Sequence, residues 1–251
     1  MQIEVCYSPQ SFPLFKNNDA IVVVIDVLRA TSAITTAFYN GVSKMIPVAS
    51  IEEAIAYKTQ GLMTAAERDG AIVEGFDLGN SPFGYMNTRV KGKTIAITTT
   101  NGTRAIEAAR DAKQVVIGSF LNMDTLIYHL KKEKSPVIFL CAGWKNKFNL
   151  EDTIFAGAIA QALIYKYGFN TECDSTIAAM ELYKLAKHDL FGFLANSSHR
   201  NRLSKLDLER DINYCLTPNQ CPVLPVLEGK YLVKMELPKN DTILNSKVLN
   251  I

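Results

Sequence analysis

The stretch A-I-V-V-V-I-D, residues 20–26, is an unbroken apolar run closed by an aspartate, and it restricts the fold more than any other feature. A strand with one wet face alternates apolar and polar side chains. A run without alternation needs cover on both faces, as in a parallel sheet flanked by helices. The pattern recurs. L-R-A-T-S and a helical pattern through Thr35–Tyr39 follow the first run, while K-T-I-A-I from Lys93 leads through T-T-T-N-G-T-R into A-I-E-A-A-R. P-V-I-F-L-C-A-G from Pro136 leads through W-K-N-K-F-N-L-E-D into T-I-F-A-G-A-I-A-Q-A-L-I. Further strands are expected at Lys44-M-I-P-V and Gln114-V-V-I-G, each followed by a helix, Ser50-I-E-E-A-I-A and Asn122-M-D-T-L-I-Y-H-L. This alternation predicts an α/β fold, layered α/β/α on a mainly parallel sheet built from strand–turn–helix units.

The first two units align as strand, R-A or T-R-A turn, helix, strand and helix, a weak internal repeat. The tail differs. S-S-H-R-N-R-L-S-K-L from Ser197 is polar and basic, and short strands are expected at Val223–Leu227 and Tyr231–Leu237. This tail reads as an appended segment packed on the main sheet. Residues 1–251 therefore read as a single domain, with two pseudo-repeated lobes inside it.

Composition bears on partners. With 48% hydrophobic and 21% charged residues the chain can bury a real core, and its net charge of +2 comes from scattered Lys and Arg. No basic run is present to track a nucleic-acid backbone. No segment approaches ~18 consecutive apolar residues, and M-Q-I-E-V-C-Y-S-P lacks a signal-like start, so a cytoplasmic protein without membrane contact is expected. Five cysteines without C-x-x-C, beside three histidines, argue against zinc and for reduced thiols. Neither G-x-x-x-x-G-K-[ST] nor G-x-G-x-x-G occurs, which disfavours a nucleotide-binding transferase.

Ligands of open α/β sheets collect where strands end and helices begin. In T-T-T-N-G-T-R, Asn101 and Gly102 allow a sharp turn with exposed N–H groups, and Thr99, Thr100 and Thr103 add hydroxyls. Arg104 can fork onto phosphate or sulfonate oxygens. A plain capped helix with Arg104 in solvent is the competing reading. In the first unit Asp26 closes the strand, with Arg29, Thr31 and Ser32 opening the helix; Asp26 can bind metal or activate water, or simply cap the helix or pair with Arg29. Leu28 stands where the D-x-D-x-T loop of aspartyl-phosphate phosphatases needs its second acid, so that mechanism is set aside. Glu151 and Asp152 open a long helix, as dipole-complementing acids or as Mg²⁺ ligands. Cys141 reads as a small buried residue at a strand end. Between the units, E-R-D-G (Glu67, Arg68) and G-F-D-L-G-N-S-P (Asp77, Asn80, Ser81) form a polar loop region suited to an active site or to a plain surface connection.

D-V-L-R-A-T-S at Asp26, E-R-D-G at Glu67, G-F-D-L-G-N-S-P at Gly75 and T-T-N-G-T-R-A at Thr99 occur in one order along the chain. G-S-F-L-N at Gly118, C-A-G at Cys141, L-E-D at Leu150 and S-S-H-R-N-R-L…D-I-N-Y-C follow. In these motifs the chain resembles the 2-phosphosulfolactate phosphatase (ComB) family from the first long strand almost to its end. Two departures stand out: Asp69, where a smaller residue is usual, and the basic K-N-K-F from Lys145 ahead of L-E-D. The resemblance implies Mg²⁺-dependent hydrolysis of 2-phospho-3-sulfolactate to sulfolactate and phosphate, a step of coenzyme M biosynthesis. It implies Mg²⁺ held by carboxylates among Asp26, Glu67, Asp77, Glu151 and Asp152, with Asp26, Arg29 and Arg104 in the chemistry. Substrate contacts are then expected from Thr31, Ser32, Arg68, Asn80, Ser81, Thr99, Thr100, Asn101, Gly102, Thr103 and Ser119, with His199 a weaker candidate. A phosphatase of another small phosphorylated acid, or a non-catalytic binder of such metabolites, is the alternative. A homodimer is the expectation for an α/β enzyme of this size.

Overall fold

The computed structural model describes residues 1–68 and 70–236; Asp69 and the Leu237 end of the second tail strand lie outside the described residues. In chain order the elements are β1 (Ile3–Cys6), β2 (Ile21–Ile25), α1 (Ala30–Tyr39), β3 (Lys44–Pro47), α2 (Ile51–Thr59), β4 (Met63–Arg68) and β5 (Ala71–Ile72). Next come β6 (Thr94–Thr98), α3 (Gly102–Ala108), β7 (Gln114–Gly118), α4 (Met123–Glu133), β8 (Val137–Cys141) and α5 (Leu150–Tyr167). The chain continues through α6 (Asp174–Ala186), α7 (Leu190–Phe193), α8 (Ser198–Ser204), α9 (Glu209–Leu216), β9 (Pro225–Glu228) and β10 (Tyr231–Lys234).

Every residue of β2 is buried, as its unbroken apolar run requires. Ile21, Val23 and Ile25 join a cluster containing α4, α5 and α6 side chains, while Val22 and Val24 join a second cluster with α1 and α3. The sheet is thus the middle layer of an α/β/α sandwich. α5 and α6 pack so closely that a Cβ on Gly157 would lie 2.0 Å from the carbonyl oxygen of Ala179.

The ten strands form one mainly parallel sheet in the order β1-β8-β2-β7-β9-β10-β3-β6-β4-β5. β1, β8, β2 and β7 make one parallel block, and β3, β6 and β4 another. The tail hairpin β9–β10 joins them by antiparallel pairing, β9 to β7 and β10 to β3. The tail therefore lies inside the sheet, not on it. Its alternating strands serve where a parallel block has no further member: Val226 pairs with Val116 and Leu232 with Met45.

The two strand–turn–helix units contribute crosswise to the two blocks. The first unit supplies β2 to one block and β3 to the other; the second supplies β6 and β7 the opposite way round. Three antiparallel junctions in succession leave the blocks running in opposite senses where they meet. Strand twist of roughly 20–25° per neighbour, accumulated between β2 and β6, turns them by on the order of 100°. The turns leaving β2 and β6 consequently meet: a Cβ on Gly102 would lie 3.1 Å from Oδ2 of Asp26.

Candidate active site

The two turns are built alike. After β2, the Ala30 N–H donates to Oδ1 of Asp26 at 3.4 Å, and the Asp26 N–H donates to Oγ1 of Thr31 at 3.1 Å. After β6, the Thr103 N–H donates to Oγ1 of Thr99 at 3.1 Å, and the Thr99 N–H donates to Oγ1 of Thr103 at 3.4 Å. Asp26 and Thr99 are therefore equivalent positions. Arg29 then precedes α1, whereas Arg104 is the third residue of α3. The two arginines therefore do not occupy matching positions, and Arg104 is exposed on α3 and is not among the residues lining the cleft.

A small cleft opens beside Asp26. The buried Asp26, Arg29, Glu67 and Asn80 form its floor, and Thr100 and Asn101 also line it. Trp144, His199 and Arg202 complete the lining. Gly102 makes the floor accessible: an added Cβ would meet Ala30 Cβ at 2.9 Å as well as the Asp26 carboxylate. The glycine is required for this close approach, and no unusual backbone angle is needed.

Each floor residue is fixed from a distant element. The buried Arg29 guanidinium donates to Oδ2 of Asp211 on α9 and, at 2.7 Å, to the carbonyl of Gly70. Ser81 Oγ holds the other Asp211 oxygen at 3.2 Å. Glu67 accepts from the Gly70 N–H and, at 3.1 Å, from Nδ2 of Asn80. His199 Nδ1 lies 2.5 Å from Oε1 of Glu151, and Asn149 Nδ2 donates to the same oxygen at 3.0 Å. The Trp144 ring neighbours His199, 6.0 Å away, and the guanidinium of Arg202, 3.6 Å from its centroid.

Burial sets the electrostatics. It raises the Asp26 carboxyl to about 6, with His199 opposing the rise and Glu67 and Glu151 adding to it. Burial alone would push Glu151 up too, but His199 and hydrogen bonds from backbone and Asn149 outweigh it and hold Glu151 below the usual range. Asp152 is pushed well up by burial and by the negative charges of Glu151 and Asp26. The Cys141 thiol is likewise pushed well up by burial, far from the thiolate a nucleophile needs.

Several expected contacts turn out to hold turns together. Asp152 accepts the Val27 N–H at 2.8 Å, the Gly143 N–H at 3.3 Å and Asn149 Nδ2 at 2.8 Å, tying the α5 start to the β2 turn. Thr31 caps the same turn, Ser32 Oγ donates to the Val27 carbonyl at 2.8 Å, and Ser119 forms a capping box with Asn122. Arg68 is spent on the Glu67 carbonyl and Thr98. Asp77 is exposed, and its carboxylate receives Thr64 N–H and Oγ1 at 2.9 and 3.1 Å, away from the cleft lining. The structure thus brings together Asp26, Arg29, Glu67, Asn80, Thr100 and Asn101. Asp211, Trp144 and Arg202 join the assembly although no role for them was visible in the motifs.

The donor set suits a hard cation. Asp26 and Glu67 border the cleft, and Oε2 of Glu151, Oδ1 of Asn80 and Oγ1 of Thr100 are buried oxygens without a hydrogen-bond partner. Among the described residues no three His, Cys, Asp or Glu side chains stand as a ready metal cage. No helix among the described residues is long and apolar enough to cross a membrane.

Comparison with known proteins gives a consistent match. The sequence model of the 2-phosphosulpholactate phosphatase family matches residues 6–230. A relative from Caldanaerobacter subterraneus described as a probable 2-phosphosulfolactate phosphatase is 40% identical over 212 residues, 83% of this chain and 88% of that protein. A relative of the same description from Thermotoga maritima is 40% identical over 216 residues, covering 86% and 92%. One from Clostridium acetobutylicum is 35% identical over 228 residues, covering 90% and 97%.

Proposed function

Because the chain belongs to the 2-phosphosulpholactate phosphatase family, we propose that its cleft hydrolyses the phosphate monoester of 2-phospho-3-sulfolactate, giving 3-sulfolactate and phosphate with the aid of Mg²⁺. The observation that carries this reading is the Asp26 carboxylate: it is buried, receives one long hydrogen bond, and shares a polar floor with Glu67 and Arg29.

Asp26 and Glu67, with the free oxygens of Asn80 and Thr100, are the groups that would hold the cation. When bound, it neutralises charge on the phosphoryl oxygens. Arg29, locked by Asp211, adds a fixed positive charge beside the phosphate and needs no reorganisation as the reaction proceeds. A carboxylate of the floor orients the attacking water. His199, its Nδ1 held by Glu151, lines the cleft and would meet the leaving oxygen through Nε2. Attack by Asp26 itself, through a phospho-aspartate, is the second mechanistic reading. Stereochemistry at phosphorus separates the two: inversion for water, retention for the covalent route.

A cytoplasmic homodimer and a product entering coenzyme M biosynthesis complete the proposal. The test is phosphate release from 2-phospho-3-sulfolactate with Mg²⁺ and with a chelator, beside 2-phospholactate. Metal-dependent release that is slower from phospholactate supports the reading. Equal release from both would replace it with a phosphatase of small phosphorylated acids in general. No release from folded, Mg²⁺-supplied protein would reduce the cleft to a binding site.

A further inference from the structure

We propose that a second pocket, at the opposite ends of β4 and β6 from the cleft, binds a nucleoside diphosphate between two lysines and two tyrosines. It shares no lining residue with the cleft and is independent of the phosphatase reading. Leu62, just before β4, and Thr94, the first residue of β6, line it, whereas Glu67, Thr100 and Asn101 at the other ends of these strands line the cleft. Strand pairing builds the site. Lys44 and Thr94 are register partners on β3 and β6. Leu232 of β10 lies opposite Met45, which puts Tyr231 on the same face of the sheet as Lys44 and Ile46. Ile46, Val48 and Ala96 of this face form a small cluster with Ala54 of α2, and Tyr57 and Tyr231 pack against it. α2 has only nine residues, and the pocket opens at its last turn, where Tyr57, Gln60 and Leu62 line it. The pocket has a volume of about 510 Å³, within the roughly 300–1,000 Å³ range of small-molecule sites.

The lining is cationic and aromatic. The Lys44 and Lys230 ammoniums lie 5.0 and 5.3 Å from the centre of the Tyr231 ring, and Lys230 lies 5.7 Å from that of Tyr57. These rings attract the ammoniums without neutralising them. Among the described residues that line the pocket there is no Asp or Glu, and Glu228, paired with Tyr231 across the hairpin, is exposed outside the lining. Two positive charges thus meet at one ring. Each ammonium has three donors, so an oxyanion can bind it while the ring contact persists. Two such centres suit two linked phosphoryl groups. Beside them Tyr57 offers a ring, Ile46 and Leu62 an apolar surface, and Gln60 an amide that both donates and accepts. A heteroaromatic base needs those three things. Lysine side chains here take the part that backbone N–H groups play in a glycine-rich phosphate loop.

The experiment is calorimetric titration of the full chain, with chelator present, by ADP, adenosine and pyrophosphate. Wild type, Lys44→Gln, Lys230→Gln and Tyr57→Leu are compared, with folding checked by thermal unfolding; both lysines are exposed, so their variants keep the fold. One ADP should bind per chain. Each lysine substitution should weaken it roughly 3- to 10-fold, the scale of one charge-assisted contact at an open site. Tyr57→Leu should weaken it roughly 10-fold, the scale of a base stacked on an aromatic ring. Adenosine and pyrophosphate should each bind more weakly than ADP by roughly tenfold or more, since each lacks half of the contacts. ADP affinity unchanged within twofold in both lysine variants overturns the proposal, because the nucleotide then sits elsewhere. Pyrophosphate bound as tightly as ADP overturns it in favour of a simple anion site. Absence of binding at millimolar ADP overturns it outright, and none of these results bears on phosphate release in the cleft.

Discussion

Arg29 and Asp211, 182 residues apart in sequence, form an ion pair in which both side chains are buried. The pair fastens helix α9 to the turn that carries Asp26. Removing one partner leaves the other charge without compensation in a water-poor site. Asp211→Ala should therefore lose about 3–5 kcal/mol of unfolding free energy, read by urea denaturation. Turnover of surviving folded protein should fall with it, since Arg29 loses its anchor. An unaltered urea midpoint would show that solvent reaches the pair.

Gly102→Ala places a methyl group against Ala30 and the Asp26 carboxylate. Overpacking of this kind costs about 1–3 kcal/mol. The larger effect should be on kcat, by about 100-fold, because displacing a reacting group by an ångström is enough. Steady-state kinetics beside a melting curve separates the two effects.

Asp26 has a folded-state pKa of about 6 against an ordinary value of 3.8, raised chiefly by burial. A carboxyl raised on folding contributes most to stability below its unfolded pKa and loses that contribution as pH rises through the folded value. In chelator-treated protein, stability should decline between pH 4 and pH 6 by about 3 kcal/mol from this group. Asp26→Asn should remove that part of the slope. Parallel pH profiles for the two proteins would show that Asp26 ionises normally.

Arg104 and Asp77 lie outside the cleft lining, whereas Arg29 and Glu67 form its floor. Arg104→Ala and Asp77→Asn should keep kcat within about twofold, the latter with a lower melting temperature from its lost bonds to Thr64. Glu67→Gln should lower kcat on the order of 10²–10³-fold. A hundredfold loss in Arg104→Ala would return that arginine to the chemistry and require α3 to turn on substrate binding.

The parts of this structure legible in the sequence are the local ones. The unbroken apolar run of β2 announced a strand covered on both faces, and the neighbouring strand–turn–helix units announced the layers. Of the residues that line the cleft, the sequence singled out those of single strand-end turns, Asp26, Thr100 and Asn101. The site was not legible at Arg104, because the repeat is aligned by backbone-to-side-chain caps at Asp26 and Thr99, and the arginines lie at different distances from those caps. Nor was it legible at Asp211, Trp144 or Arg202, whose roles depend on the long-range return of the tail. One signal was available: α9 buries Asp211 beside Ile212, Cys215 and Leu216, and an acid on an apolar helical face requires a buried partner. The two tail strands were legible, but their place inside the sheet was not, for a related reason. Short strands next to prolines look peripheral until the sheet shows two edges waiting for them.

The placement of β9 and β10 has a consequence during synthesis. Ribosomes deliver the chain from its amino end, so the strands that join the two blocks emerge after every other described strand. Until Pro225 and the residues beyond it are released, β7 and β3 each present an open edge to any neighbouring nascent chain. A message truncated before that point would yield every residue that lines the cleft, in a product prone to aggregate. For this protein, the sheet can be closed only once translation has passed Lys234.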